Sequence, residues 1–350
     1  MTMETLSPQV RLQIEGSLHS DTDFISVREK HFKSSQSWIS IDCATRPSLL
    51  YKEFRSISRV PLYVLNSTLG WDQRVFPKKG LVTEQEWEDF LKALKKHSWD
   101  AVELNALTLH ESWDLVDEAA KQGYLSSVRS FPLPVIGMQG LSFASYWDAQ
   151  TKQHPKTFQD FKKKFKTAQK NQLEIRAESP RWEQITALLD RRNREFVQVD
   201  DYSQSEDFRT FFRELRETLA AQGRLHEASV WLGDRLVAYQ SAFRNGPVLH
   251  LYQTAYDPEF RKLQPGLLAT FRVIEGAFEN PTTQLINFMG YTPMYAKLGT
   301  HILDFKYALV FRKSLRGLLV YGIIRAKRLF IKVRGWVQRA QRSSGPSHKA

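Results

Sequence analysis

The sequence predicts an α/β (α+β) protein of two domains followed by a basic, amphipathic C-terminal helix. Three observations carry this. Strand-like and helical runs alternate in the first half, three strand-like runs joined by tight turns follow one another in the second, and the net charge sits almost wholly at the end. At 350 residues, with 42% hydrophobic and 25% charged content, the chain has the composition of a soluble protein and the length of two ordinary domains. The boundaries are expected at 1–150, 151–313 and 314–350.

The first half reads in order as VPLYVLNST (60–68), TEQEWEDFLKALKKHSWD (83–100), AVELNALTL (101–109), ESWDLVDEAAKQG (111–123) and FPLPVIGM (131–138), which is strand, helix, strand, helix, strand. Thr83 and Glu86 form a capping box, and Gly123 is a helix stop. Between the halves a polar, lysine-rich stretch carries Phe158, Phe161 and Phe165 at helical spacing. Its lysines suit a solvated face.

The second half begins with LEIRAES as a strand. Two helices follow, RWEQITALLDRRNREFVQV and SEDFRTFFRELRETLAAQG, the second capped at Ser205 and stopped at Gly223. RLHEASVWLG, RLVAYQSAFR and PVLHLYQTAYD come next. Gly233-Asp234 and Asn245-Gly246 connect them, and such turns join antiparallel neighbours. DPEFRKLQPGLLATF leads into a helix reaching about Asn280. A strand QLINFMG, a short helix TPMYAKLG and a last strand HILDFKYALVFR complete the domain.

The stretch RKLQPGLL is built to receive a diphosphate. A helix start offers unpaired N–H groups and the positive end of its dipole. Gly266 leaves room for an approaching anion, Pro265 suits the first helical turn, and Arg261 and Lys262 supply charge. The same residues also read as a plain loop end with surface cations. Position favours the binding reading, because the helix directly follows the third strand of a meander along which a long ligand can lie.

These residues resemble the GNAT acyltransferase superfamily. RKLQPG is similar to its Arg/Gln-x-x-Gly-x-Gly/Ala loop at Arg261 and Gly266, with Gln264 where the first glycine is expected. NFMGYTPMYAKLGT is similar to its Asn…Tyr-x-Lys-x-Gly-Phe pattern at Asn287, Tyr295, Lys297 and Gly299, with Thr300 replacing the phenylalanine. AYDPEFRKLQPGLL and LHEASVWLGDRLVAYQSAF look like the CelD-like, BioF-type subgroup, which is related to the Fem peptidyltransferases. The subgroup's two carboxylates near the end are absent from NFMGYTPMY. The resemblance covers about residues 155–313 and implies two tandem GNAT-like domains, each a mixed, mostly antiparallel sheet flanked by helices, the first one degenerate. It also implies acetyl-CoA or another acyl-CoA as donor, held by Thr254, Ala255, Tyr256, Arg261, Lys262, Gln264, Gly266, Leu267 and Asn287. The partners it implies are that donor and a small-molecule, glycan or lipid-linked acceptor.

In such chemistry an amine attacks the thioester in a ternary complex, so the lack of a nucleophile elbow is no obstacle. Tyr295 is the expected proton donor to the leaving thiolate. A backbone N–H around Thr254 to Tyr256, freed by a β-bulge, is the expected carbonyl contact. Glu227, His250 and Asp257 are the candidate bases, although each also reads as a satisfied structural residue. The scattered histidines and the single Cys43 provide no metal spacing and no disulfide framework, so no metal is expected.

The net charge of +12 is concentrated at the end. From Arg312 onward there are eleven Lys or Arg and no Asp or Glu, leaving 39 basic against 38 acidic residues before it. That balance argues against a nucleic-acid binding body. In the tail Leu318, Leu319, Ile323, Ala326, Phe330, Val333 and Val337 fall on one helical face, with Arg325, Arg328, Lys332 and Arg339 opposite. Two readings follow: an anchor on an anionic membrane surface, or a helix docked on the protein's own sheet. With a polar, acidic start, the expected location is cytoplasmic, or peripheral at the inner membrane face. The competing functions are a Fem-like transferase using aminoacyl-tRNA and a non-catalytic binding protein.

Overall fold

The computed structural model describes residues 22–32, 37–41, 48–57, 60–66, 88–89, 92–107, 119–121, 123–138, 140–195 and 206–343. In chain order its elements are α1 (Thr22–Phe32), β1 (Ser37–Ile41), β2 (Ser48–Ile57), β3 (Val60–Asn66), β4 (Ala101–Leu107) and β5 (Leu125–Gly137). Next come α2 (Phe143–Gln153), α3 (Pro155–Lys170), β6 (Leu173–Arg176), α4 (Trp182–Glu195), α5 (Glu206–Ala221), β7 (Leu225–Leu232), β8 (Arg235–Asn245) and β9 (Val248–Tyr256). A 3₁₀ turn (Pro258–Leu263), α6 (Pro265–Glu279), β10 (Leu285–Asn287), α7 (Pro293–Leu298), β11 (His301–Phe311) and α8 (Leu315–Ser343) follow. The capping box at Thr83 and Glu86 and the cap at Ser205 lie outside the described residues.

Two compact units emerge. One comprises residues 1–35, 70–81 and 130–305, the other 36–69, 82–129 and 306–350. In the first unit β7, β8 and β9 form an antiparallel meander, with Gly233 and Gly246 at positive φ in its turns. β10 pairs parallel to β9 and antiparallel to β5. Helix α6 covers one face: Phe271, Ile274 and Ala277 meet Ala228, Ala242, Leu249 and Leu251, with Phe158 and Phe161 of α3 closing the cluster. The other face meets α5, where the ring of Phe212 lies 6.3 Å from Phe243 and 5.9 Å from Tyr252. The lysine-rich α3 buries its phenylalanines at 158 and 161 and exposes Lys162, Lys163 and Lys166, as an amphipathic helix must.

In the second unit β1, β2 and β3 form another antiparallel meander, β4 pairs parallel to β3, and β11 pairs antiparallel to β4. Its core holds Leu62, Val64, Ala101, Leu309 and Phe311 with Val320 and Ile324 of α8. Both units therefore share one plan, a three-stranded meander followed by a parallel fourth strand. Each completes its sheet with a strand from the other half of the sequence.

This division differs from boundaries at 150 and 313. Helix α1 belongs to the first unit because Phe24 is fully buried there, its ring edge-on to Phe211 at 5.6 Å, and because Arg224 donates to Asp23 at 3.0 Å. Val320 and Ile324 of α8 lie in the second unit's core.

Candidate active site

The site begins where β9 and β10 part. Register pairs run Leu285 with Val248, Ile286 with Leu249 and Asn287 with His250, and there β10 stops while β9 continues to Tyr256. Two details enforce the parting. Asn287 Oδ1 accepts from the Met289 N–H at 2.8 Å, and Met289 sits at φ +57, so the chain turns out of the sheet. In β9, Tyr252 is an extra residue, because Ser241 faces Gln253 while Ala242 faces Leu251. The bulge thus lies two residues before the stretch where it was expected. Beyond it the Asp257 N–H donates to Val237 O at 2.7 Å, and ladder alternation turns the N–H groups of Thr254 and Tyr256 away from β8.

Helix α6 starts against this part of β9. A Cβ on Gly266 would come 3.4 Å from Thr254 Oγ1 and 3.5 Å from the Tyr256 ring. Gln264, in the left-handed region at φ 51, caps α6 with its carbonyl, which accepts from Leu267 and Leu268 N–H. Its buried side-chain Oε1 has no hydrogen-bond partner. Thr254, Tyr256, Gln264, Gly266 and Leu267 thus come together, with Arg261 and Lys262 exposed on the preceding turn. Lys164 of α3 reaches the Lys262 carbonyl at 3.3 Å. Ala255 is buried, and alternation points it to the opposite face.

Sequence reasoning missed the residue that ties helix to bulge. Gln240 donates to the Gln253 carbonyl at 3.2 Å and accepts from Thr270 of α6 at 3.0 Å. A glutamine at a core-facing position in the apolar run VAYQSAF was the available signal.

The proton-handling candidates fare differently from one another. Glu227 receives Arg216 Nε at 2.8 Å and Nη2 at 2.6 Å, along with the Ser241 hydroxyl, all buried. Asp257 takes Arg191 Nε at 2.7 Å, Arg235 Nη2 at 2.6 Å and the Glu259 N–H at 3.2 Å. Burial alone would push its carboxyl up, but the hydrogen bonds from Arg235, Arg191 and the Glu259 N–H outweigh burial and hold it below its ordinary value. With their oxygens so engaged, both carboxylates serve as structural acceptors, Asp257 as the cap of the 3₁₀ turn.

His250 is fully buried, and burial, with Arg224 nearby, pushes its imidazole down to about 3. Asn287 Nδ2 donates to its Nδ1 at 3.3 Å, because Asn287 Oδ1 is already engaged by Met289. Met289 Sδ also lies 3.3 Å from Nδ1, and Nε2 has no hydrogen-bond partner. Tyr295 on α7 stacks on Phe288 with ring centroids 4.8 Å apart, and burial pushes its phenol up, keeping it protonated. Helix α7 is held by the Tyr146 hydroxyl, which donates to Leu298 O at 2.9 Å, and by the Thr300 N–H on Val135 O at 2.9 Å. Gly299 permits this closeness: a Cβ would fall 3.2 Å from Val135 O. Among the described residues no three His, Cys, Asp or Glu side chains converge on a metal position.

A β10 that stops at Asn287, a bulged β9 and a helix start with glycine in its first turn thus lie together. Residues 155–300 match the family model described as an acetyltransferase (GNAT) domain. Over nearly its whole length the chain is similar in fold to FemX, at 9% identity and TM-score 0.53, covering 87% of this chain and 96% of that one. It is also similar to L-PGS from Bacillus licheniformis, at 10% identity and TM-score 0.50, covering 88% and 97%. A third likeness is to the C-terminal domain (DUF2156) of a protein described as a lysylphosphatidylglycerol synthetase from Agrobacterium fabrum, at 8% identity and TM-score 0.51, covering 88% and 96%. Comparison with curated protein sequences finds no match. Residues 155–300 thus match a GNAT domain, and the fold of the chain is like that of FemX.

Proposed function

We propose that the protein transfers an acyl group from acyl-CoA directly to an amine or hydroxyl acceptor. The supporting observation is that β10 stops pairing at Asn287 while β9 runs on to Tyr256, with the Gly266 helix start beside it. The diphosphate would lie on the first N–H groups of α6, with Gln264 Oε1 turning outward and Arg261 and Lys262 adding charge. The pantetheine arm would follow β9 past its bulge, where the Thr254 N–H is placed to polarise the thioester carbonyl. The acceptor's lone pair attacks that carbon, the tetrahedral intermediate collapses with loss of the C–S bond, and the Tyr295 hydroxyl gives its proton to the thiolate. The acceptor's own proton leaves to solvent, since Glu227 and Asp257 are engaged by arginines and His250 is fully buried. A sugar amine, a polysaccharide precursor or a lipid-linked group fits the acceptor role.

A second reading keeps the transfer and changes the donor to aminoacyl-tRNA. The exposed lysines of α3 favour it, since they could meet a phosphate backbone. Calorimetric titration separates the two. Binding of acetyl-CoA in the micromolar range with no response to charged tRNA is expected; the reverse result would remove the first reading.

A further inference from the structure

We infer that the outward face of α8 docks on an anionic lipid bilayer. One side of this helix is engaged: Val320 and Ile324 are buried in the second unit, and Tyr321 packs edge-on to Phe311 at 6.0 Å. The opposite side is apolar and open. Leu315 is 85% exposed, Leu329 65% and Phe330 68%, and Leu318, Leu319 and Val333 join them along one stripe. At 100° per residue Arg316 and Lys327 border this stripe on one side and Arg325 on the other. A docked helix ordinarily turns its only apolar face inward, so a second apolar face, bordered by cations, calls for a partner.

Charge identifies the partner. Eleven Lys or Arg and no acidic residue from Arg312 onward suit a surface dense in phosphate. A second copy of the chain would bring two such cationic margins together without compensation. No described helix is long and apolar enough to cross a membrane, so α8 would lie in the interfacial plane with its leucines and Phe330 among the acyl chains and its cations at the headgroups.

Co-sedimentation of the full chain with vesicles tests this. The parent should bind phosphatidylglycerol–phosphatidylcholine vesicles at least tenfold better than pure phosphatidylcholine, and 0.5 M salt should weaken binding. Leu329→Ser with Phe330→Ser, and separately Arg316→Gln with Arg325→Gln and Lys327→Gln, should each lose at least tenfold while melting like the parent. Equal binding by the serine variant overturns the proposal. So does a lipid-free dimer, seen by sedimentation equilibrium, that the serine variant dissolves while the parent ignores vesicles. Phe330→Trp supplies a readout independent of those substitutions. Its fluorescence should be quenched by acyl-brominated phosphatidylglycerol, and no quenching would also overturn the inference.

Discussion

The two units share a plan and differ in how the last strand of the meander is paired. In the second, β2 and β3 pair without interruption from Tyr51 with Asn66 to Ile57 with Val60. In the first, β8 and β9 pair around the extra residue Tyr252, and β9 outruns its parallel neighbour by six residues, Leu251 to Tyr256. The meander and its parallel fourth strand are thus sufficient to build a core, and the bulge and the early end of β10 are additions. They carry a cost, since β9 gives up ladder partners along one edge. The Gln240 side chain bonds the Gln253 carbonyl at the bulge. The features that the proposed chemistry uses lie in the first unit.

The largest effect expected from breaking that unit comes from Arg216→Ala. It leaves Glu227 buried without its two-pronged partner, a loss of about 3–5 kcal/mol. Urea denaturation should show the first unit's transition moving while the second unit's stays in place. Unfolding as one transition would show instead that the two units are coupled. Tyr295→Phe should leave stability nearly unchanged and lower kcat about 100-fold, equivalent to about 2.7 kcal/mol of barrier. An unchanged kcat would remove Tyr295 from the reaction.

The first unit was largely legible in sequence because its punctuation is strong. Gly233, Gly246, Gly223 and Pro265 mark its turns and helix ends, and the elements between them lie where their periodicity placed them. The second unit's first two strands were not read. In SLLYKEFRSISRVPLYVLN no glycine, asparagine or proline stands between the strands to signal a hairpin. Helix α1 escaped because Phe24 and Val27 are its only described buried positions, too few for a periodic stripe. At the site, residue types could be read but their partners could not. Glu227 looked available until Arg216, eleven residues earlier, was seen to hold it, and the arginines on Asp257 come from α4 and β8. Ion pairs between elements leave no local pattern. The exchange of last strands between units is likewise invisible to periodicity.

Acid should separate the units more gently. His250 is held neutral, with its imidazole pushed down to about 3, and burial lowers His226 in the same direction. An unfolded histidine binds protons below about 6.5, so the stability these residues contribute is complete above that pH. For His250 it falls by about 1.4 kcal/mol for each pH unit below it, until the folded value is reached, and His226 adds in the same direction. Both histidines lie in the first unit. Between pH 6.5 and 4.5 that unit should lose stability faster than the second, and His250→Gln should flatten the slope. A slope unaffected by that change would mean His250 is open to protons in the folded state.

The smallest change sharpens the comparison most. Gly266→Ala adds one methyl at ordinary contact distance from Thr254 and Tyr256, at a position whose φ suits any residue, so stability should shift by no more than about 0.5 kcal/mol. If a diphosphate sits on the first N–H groups of α6, the same methyl crowds it, and acetyl-CoA affinity should fall about tenfold, or about 1.4 kcal/mol. Leu62→Ala in the second unit should behave oppositely, losing about 2–5 kcal/mol of stability through its cavity while binding the donor as well as the parent does. Calorimetric titration of both variants decides the matter. Affinity that follows stability in both would assign the donor to no particular unit, whereas affinity lost only in Gly266→Ala ties it to the helix start beside the parted strands.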